Sequence, residues 1–254
     1  MNNGLWTSVK DNVVFVLVSI GIAVALFAAA YVAEKISKKK NGDTERILCT
    51  RKIAMIGVFS AIAAVLMLFE FQVPFAPFFY ELDFSEIPAL IGTFAFGPVA
   101  GVMIEFCKIL LKLLMKGTST AFVGDLANFV VGCSFILPAS IIYMFKKTKK
   151  TAIIASVTGT LIMTVFGSMF NAVYLLPTFA TLYNMPLDAI IAIGTEINGN
   201  ITNVSTLVLF AVAPLNLLKG SSVSLVTMLV YKQLSPILKE ATIGKKGKAV
   251  GTVR

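Results

Sequence analysis

Histidine is absent from this sequence of 254 residues, and only 14% of the residues are charged. Without histidine, the chain lacks Ser-His-Asp catalysis, histidine-ligated zinc or haem, and proton transfer by imidazole. Because 57% of the residues are apolar and the mean hydropathy is +0.87, a soluble globular domain is excluded. We expect a polytopic helical membrane protein with no catalytic residues and no metal site.

Cysteine is also scarce. Cys49, Cys107 and Cys133 are the three cysteines of the chain, and no two of them have the spacing of metal ligands, so we interpret them as unpaired thiols. The formal net charge is +9, and the basic residues lie beside the ends of apolar segments. Their expected partners are lipid headgroups, and no nucleic-acid partner is expected.

A spanning helix needs about 20 apolar residues, and the chain has apolar segments for seven such helices. Pro177 is predicted to end the sixth helix and Pro214 to begin the last. The alternative for the first segment is a cleaved signal peptide, but its length and the charges that follow it favour a spanning helix. The predicted spans are residues 13–33, 53–71, 86–96, a segment from the break at Gly97-Pro98 to about 115, then 123–145, 152–176 and 214–233.

The basic clusters predict the orientation of the chain. Lysines and arginines concentrate in residues 35–52, in 146–150 and near the C-terminus. All three clusters fall on the cytoplasmic side if seven helices span and the N-terminus is outside. The loop 72–85 is then external and the C-terminus is cytoplasmic. A separate span at 201–212 would place the basic tail outside, so we reject it.

Three ionisable residues interrupt the fourth predicted helix. Glu105, Lys108 and Lys112 have i, i+3 and i+7 spacing and therefore share one helix face. We expect an ion pair between Glu105 and Lys108, with Lys112 snorkelling towards the outer surface. The alternative is a membrane enzyme in which Glu105, Lys108 and Asp125 act as acid–base groups.

Polar amides lie near the predicted outer ends of several spans. They are Asn128, Asn171 and Asn216, with Lys219 three residues after Asn216. One interpretation is hydrogen bonding between helices. The other is a small-molecule pocket beneath the aromatic loop 71–80, since an amide donates and accepts at once and suits a heterocycle edged with C=O and N–H groups.

Small residues line the second predicted helix at i, i+4 spacing. Gly57 pairs with Ala61, and Ser60 pairs with Ala64. Such pairs allow another helix to approach closely.

Six ordered motifs stand out along the chain: VPFAPF at 73–78, LDFSEIPAL at 82–90, GPVAG at 97–101, GTST at 117–120, DLANF at 125–129 and APLNLLKG at 213–220. Together, over about residues 51–239, they resemble the riboflavin-specific substrate-binding (S) components of energy-coupling factor (ECF) transporters. The resemblance implies an all-α polytopic membrane protein with a six-helix bundle, to which this chain adds an N-terminal transmembrane helix.

The same resemblance implies a binding site near the outer face. Riboflavin is then a transported ligand, and no cofactor is expected. The alternative is an S component for FMN, FAD or a different vitamin. The residues that the resemblance assigns to ligand binding are Asn171, Asn216, Lys219, Asn128, Phe79, Leu82, Asp83 and Thr118.

The resemblance also implies partners. S components have no enzymatic activity and dock on an ECF transmembrane coupling protein that binds two ATP-binding cassette ATPase subunits. The matching interface positions are Gly57, Ser60, Ala61 and Ala64. The expected location is the plasma membrane of a bacterial cell.

These expectations divide the chain into four parts. Residues 1–34 hold the extra transmembrane helix, 35–52 a basic cytoplasmic linker, 53–240 the six-helix riboflavin-binding membrane domain, and 241–254 a basic cytoplasmic tail.

Overall fold

The computed structural model describes residues 13–42, 46–118, 122–182 and 185–242. The described residues form helices joined by loops, and one loop contains a ribbon in which β1 (Phe71–Gln72) pairs antiparallel with β2 (Glu81–Leu82). The all-α fold is confirmed. The helices are α1 Val13–Asn41, α2 Thr50–Leu68, α3 Glu86–Phe96, α4 Pro98–Lys116, α5 Val123–Phe145, α6 Lys149–Phe170, α7 Leu176–Leu182, α8 Leu187–Ile197, α9 Val204–Leu207 and α10 Ala213–Thr242.

Five helical segments of the described chain are long and apolar enough to cross a membrane. They are Leu17–Lys40, Thr50–Leu68, Val123–Phe145, Lys149–Thr181 and Val204–Val230. The other two predicted spans correspond to α3 and α4, which follow one another across Gly97. Neither meets the same criterion, because α3 has only 11 residues and α4 carries charged residues along its length.

Two helices continue through prolines that were predicted to bound them. The π-helical turn Asn171–Leu175 lies just before Pro177 and joins α6 to α7. The π-helical turn Val208–Val212 lies just before Pro214 and joins α9 to α10. The predictions that Pro177 ends a helix and Pro214 begins one are therefore wrong. A proline normally clashes with the carbonyl four residues earlier. Here that carbonyl lies inside the π turn, whose hydrogen bonds close over five residues instead of four.

The N-terminal helix α1 is a packed part of the bundle. It contacts α4 and α5 through a cluster that includes Ala30, Val102 and Val130. Near its end, the buried carboxylate of Glu34 accepts the Val99 N–H at 3.2 Å and pairs with Lys52 at 3.4 Å. The helix continues to Asn41, past the predicted start of the linker, because lysines in its last turn favour the negative end of the helix dipole.

The loop between α2 and α3 is anchored on the far end of the chain. Leu82 is buried in a cluster with Leu176, Ile201 and Leu215. This packing holds the loop over α7 to α10. We refer to residues 69–85 as the lid. The predicted basic tail lies outside the described residues from 243 onwards.

Candidate functional site

A cavity of about 150 Å³ lies beneath the lid. The lid forms one wall, and α3 to α7, α10 and both π turns contribute the other lining residues. The cavity brings together three amides that are far apart in sequence, and Lys219 lies beside them. The described lining residues include Phe79, Tyr80, Asp83, Asn128, Asn171, Leu175, Val212, Asn216 and Lys219.

Two of the expected binding residues are not among the described residues that line this cavity. Leu82 points into the apolar cluster under the lid and is 2% exposed. The hydroxyl of Thr118 accepts the N–H of Phe122 at 2.9 Å. This bond supports a turn in which Phe122 has a positive φ of 69°. Both residues shape the walls of the site from outside.

Asn216 has an amide group that is free to bind a ligand. Its buried Nδ2 finds no hydrogen-bond partner among the described residues. An unpaired buried donor costs about 1–3 kcal/mol, so a ligand that accepts this hydrogen bond recovers that cost. Gly167 makes room for the amide, because a Cβ at position 167 would lie 2.8 Å from Nδ2.

Asn171 is held by the lid. Its Oδ1 accepts the hydroxyl hydrogen of Tyr80 at 2.8 Å, and its Nδ2 donates to the Gly167 carbonyl at 3.3 Å. Burial raises the pKa of Tyr80, so its phenol stays protonated and donates. The orientation of Asn171 therefore depends on a closed lid.

Lys219 joins the lid to α10 and α3. Its Nζ lies 2.9 Å from Asp83 Oδ2, 3.0 Å from Glu86 Oε1 and 3.5 Å from Asn128 Oδ1. Burial favours a higher pKa for Asp83, but Lys219 and Lys108 outweigh it and lower the pKa to about 2. Asp83 is therefore ionised throughout the physiological pH range, and its ion pair holds the lid closed.

A second lysine extends this buried network. Lys108 Nζ lies 2.7 Å from Glu105 Oε2 and 3.1 Å from Glu86 Oε1, and it donates to the Ser85 hydroxyl at 2.9 Å. The expected pair between Glu105 and Lys108 is confirmed. Glu86 bridges Lys108 and Lys219, so the start of α3 is tied to both α4 and α10.

Lys112 does not snorkel, and that prediction is wrong. Its ammonium group is buried and pairs with Asp125 at 2.7 Å. The first turn of α5 places this carboxylate beside α4. A buried partner removes the need to reach water.

Aromatic rings of the lid cover the cavity. The Phe79 ring lies 4.7 Å from the Tyr80 ring and 5.6 Å from the Phe179 ring, measured between centroids. Phe179 comes from α7, directly after the first π turn. An apolar roof above buried amides suits a flat heterocycle with polar edges.

A family model described as "ECF transporter, substrate-specific component" matches residues 51–231. The chain belongs to this family. The match covers α2 to α10 up to residue 231 and leaves α1 outside, as the resemblance of the motifs implied. S components of ECF transporters are transport proteins of the membrane, so the chain is a multi-pass membrane protein.

Relatives within the family are similar over most of their length. The riboflavin transporter RibU of Staphylococcus aureus (strain TCH60) is 36% identical over 189 residues, which are 74% of this chain and 93% of the relative. The riboflavin transporter FmnP of Bacillus subtilis (strain 168) is 30% identical over 191 residues, 75% and 95% of the two chains. A solved S component of a bacterial ECF transporter has 37% identity and a TM-score of 0.58, and the match covers 74% of this chain and 97% of that chain.

The enzyme alternative for this S component is wrong. The family transports and does not catalyse. The groups proposed for acid–base chemistry are also held in ion pairs: Glu105 with Lys108, and Asp125 with Lys112. The buried charges of α4 join helices and the lid together.

The four residues expected at the coupling interface divide between two faces of α2. Gly57 and Ala61 are exposed, and a Cβ at Gly57 would meet no atom within 4 Å. Ser60 and Ala64 are buried against the rest of the bundle. Only the face with Gly57 and Ala61 is open to a partner helix.

The sequence pattern did not predict several residues of the site. Glu86 and Phe179 were not predicted to take part, and neither was Gly167. Phe179 lies between the predicted spans 152–176 and 214–233, and Glu86 lies at the start of a predicted span. The glutamate of the LDFSEIPAL motif was the one available signal, because an acidic residue at the start of an apolar helix needs a partner.

Tyr80→Phe tests the contact between lid and amide. We expect ligand affinity to fall by about 3- to 10-fold, because one buried hydrogen bond of about 1 kcal/mol is lost and Asn171 is no longer oriented. Affinity is measured by titration of the stripped protein, from which any bound ligand has been removed. Phe78→Leu is the control, since the Phe78 side chain is 60% exposed on the lid. Equal affinities for Tyr80→Phe and the unmodified chain would show that the Tyr80 hydroxyl does not contribute to ligand binding.

Proposed function

We propose that this chain is the riboflavin-binding subunit of an ECF transporter and serves riboflavin uptake. The observation that carries the proposal is the lidded cavity in which Asn128, Asn171 and Asn216 converge and the Asn216 amide lacks a partner. The pyrimidinedione edge of a flavin alternates C=O and N–H groups, and amides match both. The names of the relatives point to the same ligand.

The lysine of the site serves the ligand and the lid together. Lys219 has three donor hydrogens. Two of them serve Asp83 and Glu86, whereas the contact with Asn128 is long, at 3.5 Å. A flavin carbonyl replaces that weak contact without breaking either ion pair. Binding and lid closure then depend on the same ammonium group.

The charges around the cavity favour riboflavin over its phosphorylated forms. Five carboxylates and two ammonium groups are present among the described lining residues. Burial raises the pKa of Glu81, and the neighbouring Glu70 raises it further, so these acids already repel one another. A phosphate would add negative charge to this site. The carboxylates belong to Glu70, Glu81, Asp83, Glu86 and Asp125, and the ammonium groups to Lys112 and Lys219.

Titration of the stripped protein with riboflavin, FMN and FAD tests this specificity. We expect one-to-one riboflavin binding that quenches flavin fluorescence, and affinity at least about tenfold lower for FMN and FAD because of charge repulsion. High salt should narrow the difference. Tighter binding of FMN than of riboflavin would favour the alternative substrate, and no binding of any flavin by folded protein would contradict the proposed function.

Transport requires partners that hydrolyse ATP. We propose that an ECF transmembrane coupling protein with two ATP-binding cassette subunits docks on the exposed face of α2 at Gly57 and Ala61. The bundle then topples in the membrane, which carries the cavity from the outer to the inner side. In this proposal the N-terminus is outside and the C-terminus is cytoplasmic, as the basic clusters favour.

A further inference from the structure

A second cavity, of about 240 Å³, lies at the other ends of α3 and α5. The lid cavity is lined by the starts of these two helices, and the second cavity by residues 93–97 and 140–147. The end of α1 closes it on one side. Nothing in the proposed transport function uses this space.

Basic side chains dominate the charge of the second cavity. Lys38 from α1, Lys52 from α2 and Lys147 after α5 line it, and Glu34 supplies the single carboxylate among the described lining residues. That carboxylate already pairs with Lys52 and accepts the Val99 N–H. Among the described lining residues, three ammonium groups therefore stand against one carboxylate, a composition that favours an anion.

Glu34 also fixes the geometry of the cavity. Gly97 has a φ of 98°, and a Cβ there would lie 3.0 Å from the carboxyl carbon of Glu34. The close approach seats α1 on the break between α3 and α4. Since Glu34, Ser37 and Lys38 all come from α1, the extra helix of this chain supplies one wall of the cavity.

The remaining lining is apolar and aromatic. It includes Phe94, Phe96, Tyr143 and Met144, and the hydroxyl-bearing residues Ser37 and Ser140 also line the cavity. A cavity lined by both ammonium groups and apolar side chains matches an amphiphilic anion. Inorganic phosphate would leave the apolar side chains without a partner.

We propose that this cavity binds the phosphate headgroup of an anionic phospholipid, with the lysines contacting the phosphate and the apolar side chains contacting the first carbons of the acyl chains. The basic clusters at Lys38–Lys40 and at 146–150 place the cavity at a membrane surface. In this proposal the extra helix α1 has a function, because it completes a lipid site whose other lining residues lie outside α1.

Native mass spectrometry of the full chain in detergent tests this proposal. Phosphatidylglycerol is added, with phosphatidylcholine as the zwitterionic comparison. The variant Lys38→Gln/Lys147→Gln removes two of the lining lysines and leaves the ion pair between Lys52 and Glu34 intact. The control is Lys149→Gln/Lys150→Gln, which removes the same charge from the start of α6, outside the lining residues.

We expect the lining variant to retain at least about tenfold less phosphatidylglycerol, since each lysine near an anionic lipid contributes favourably. The control should stay within about twofold of the unmodified chain. Riboflavin titration of each variant verifies that the bundle is folded. Equal losses in both variants, equal retention of the two lipids, or displacement of phosphatidylglycerol by an equal concentration of glycerol phosphate would each overturn the proposal.

Discussion

We expect Asn216→Leu to bind riboflavin about 100-fold more weakly while the protein stays at least as stable, because up to about 3 kcal/mol of ligand hydrogen bonding is lost. Leucine has the same branched arrangement of side-chain heavy atoms as asparagine, so the substitution removes the polar groups and keeps the branched shape. The Asn216 Nδ2 has no partner among the described residues. The substitution therefore removes an unpaired donor from the free protein and a paired donor from the complex.

The measurement is a fluorescence titration of stripped protein, with thermal unfolding in detergent as the stability check. Asn200→Leu is the matched control, since Asn200 is exposed after α8 and does not line the cavity. We expect it to bind riboflavin as the unmodified chain does. If Asn216→Leu and Asn200→Leu have the same affinity, the amide does not contact the flavin.

Lys219 is a less informative site for the same experiment. Its substitution would leave Asp83 and Glu86 without a shared counter-charge in a buried environment. Losing one partner of a buried ion pair costs about 3–5 kcal/mol. Weaker binding in a Lys219 variant would therefore combine ligand contact, lid closure and stability. Substitution of Asn216 tests the ligand contact separately from lid closure and stability.

Local patterns in the sequence were sufficient to predict the longer helices and the side chains that need partners. Apolar length identified the five segments that are long enough to cross a membrane, and the i, i+3 spacing of Glu105 and Lys108 identified a pair that the structure contains. Both features depend on residues that are close in sequence. The same holds for the two small-residue pairs on α2, although spacing alone does not distinguish its exposed face from its buried face.

The rest depended on contacts between distant segments. Lys219 pairs with Asp83 across 136 positions, and Tyr80 reaches Asn171 across 91. No local periodicity encodes such a pair. The π turns were missed for a related reason, because prolines such as Pro177 and Pro214 usually mark helix boundaries. The apolar cluster around Leu82 packs against both segments and keeps the helices continuous.

The largest effect on transport is expected from Ala61→Trp. Ala61 is exposed on α2 beside the open space at Gly57. Small residues at this spacing let a partner helix approach closely, and an indole ring there keeps the two helices apart. We expect riboflavin binding to be unchanged and uptake to fall to less than about 10% of the unmodified level. The measurement is radiolabelled riboflavin uptake by cells or proteoliposomes that contain the complete transporter.

Two further alanines make this experiment decisive. Ala25→Trp introduces the same ring on the exposed side of α1, outside the region that the family model matches, and should leave uptake intact. Ala64→Trp places it in a fully buried position, where overpacking destabilises the bundle and lowers riboflavin binding as well. Loss of uptake with retained binding should therefore be specific to Ala61. If Ala61→Trp transports as well as Ala25→Trp, the coupling protein docks on another face, because a bulky ring between close-packed helices cannot be neutral.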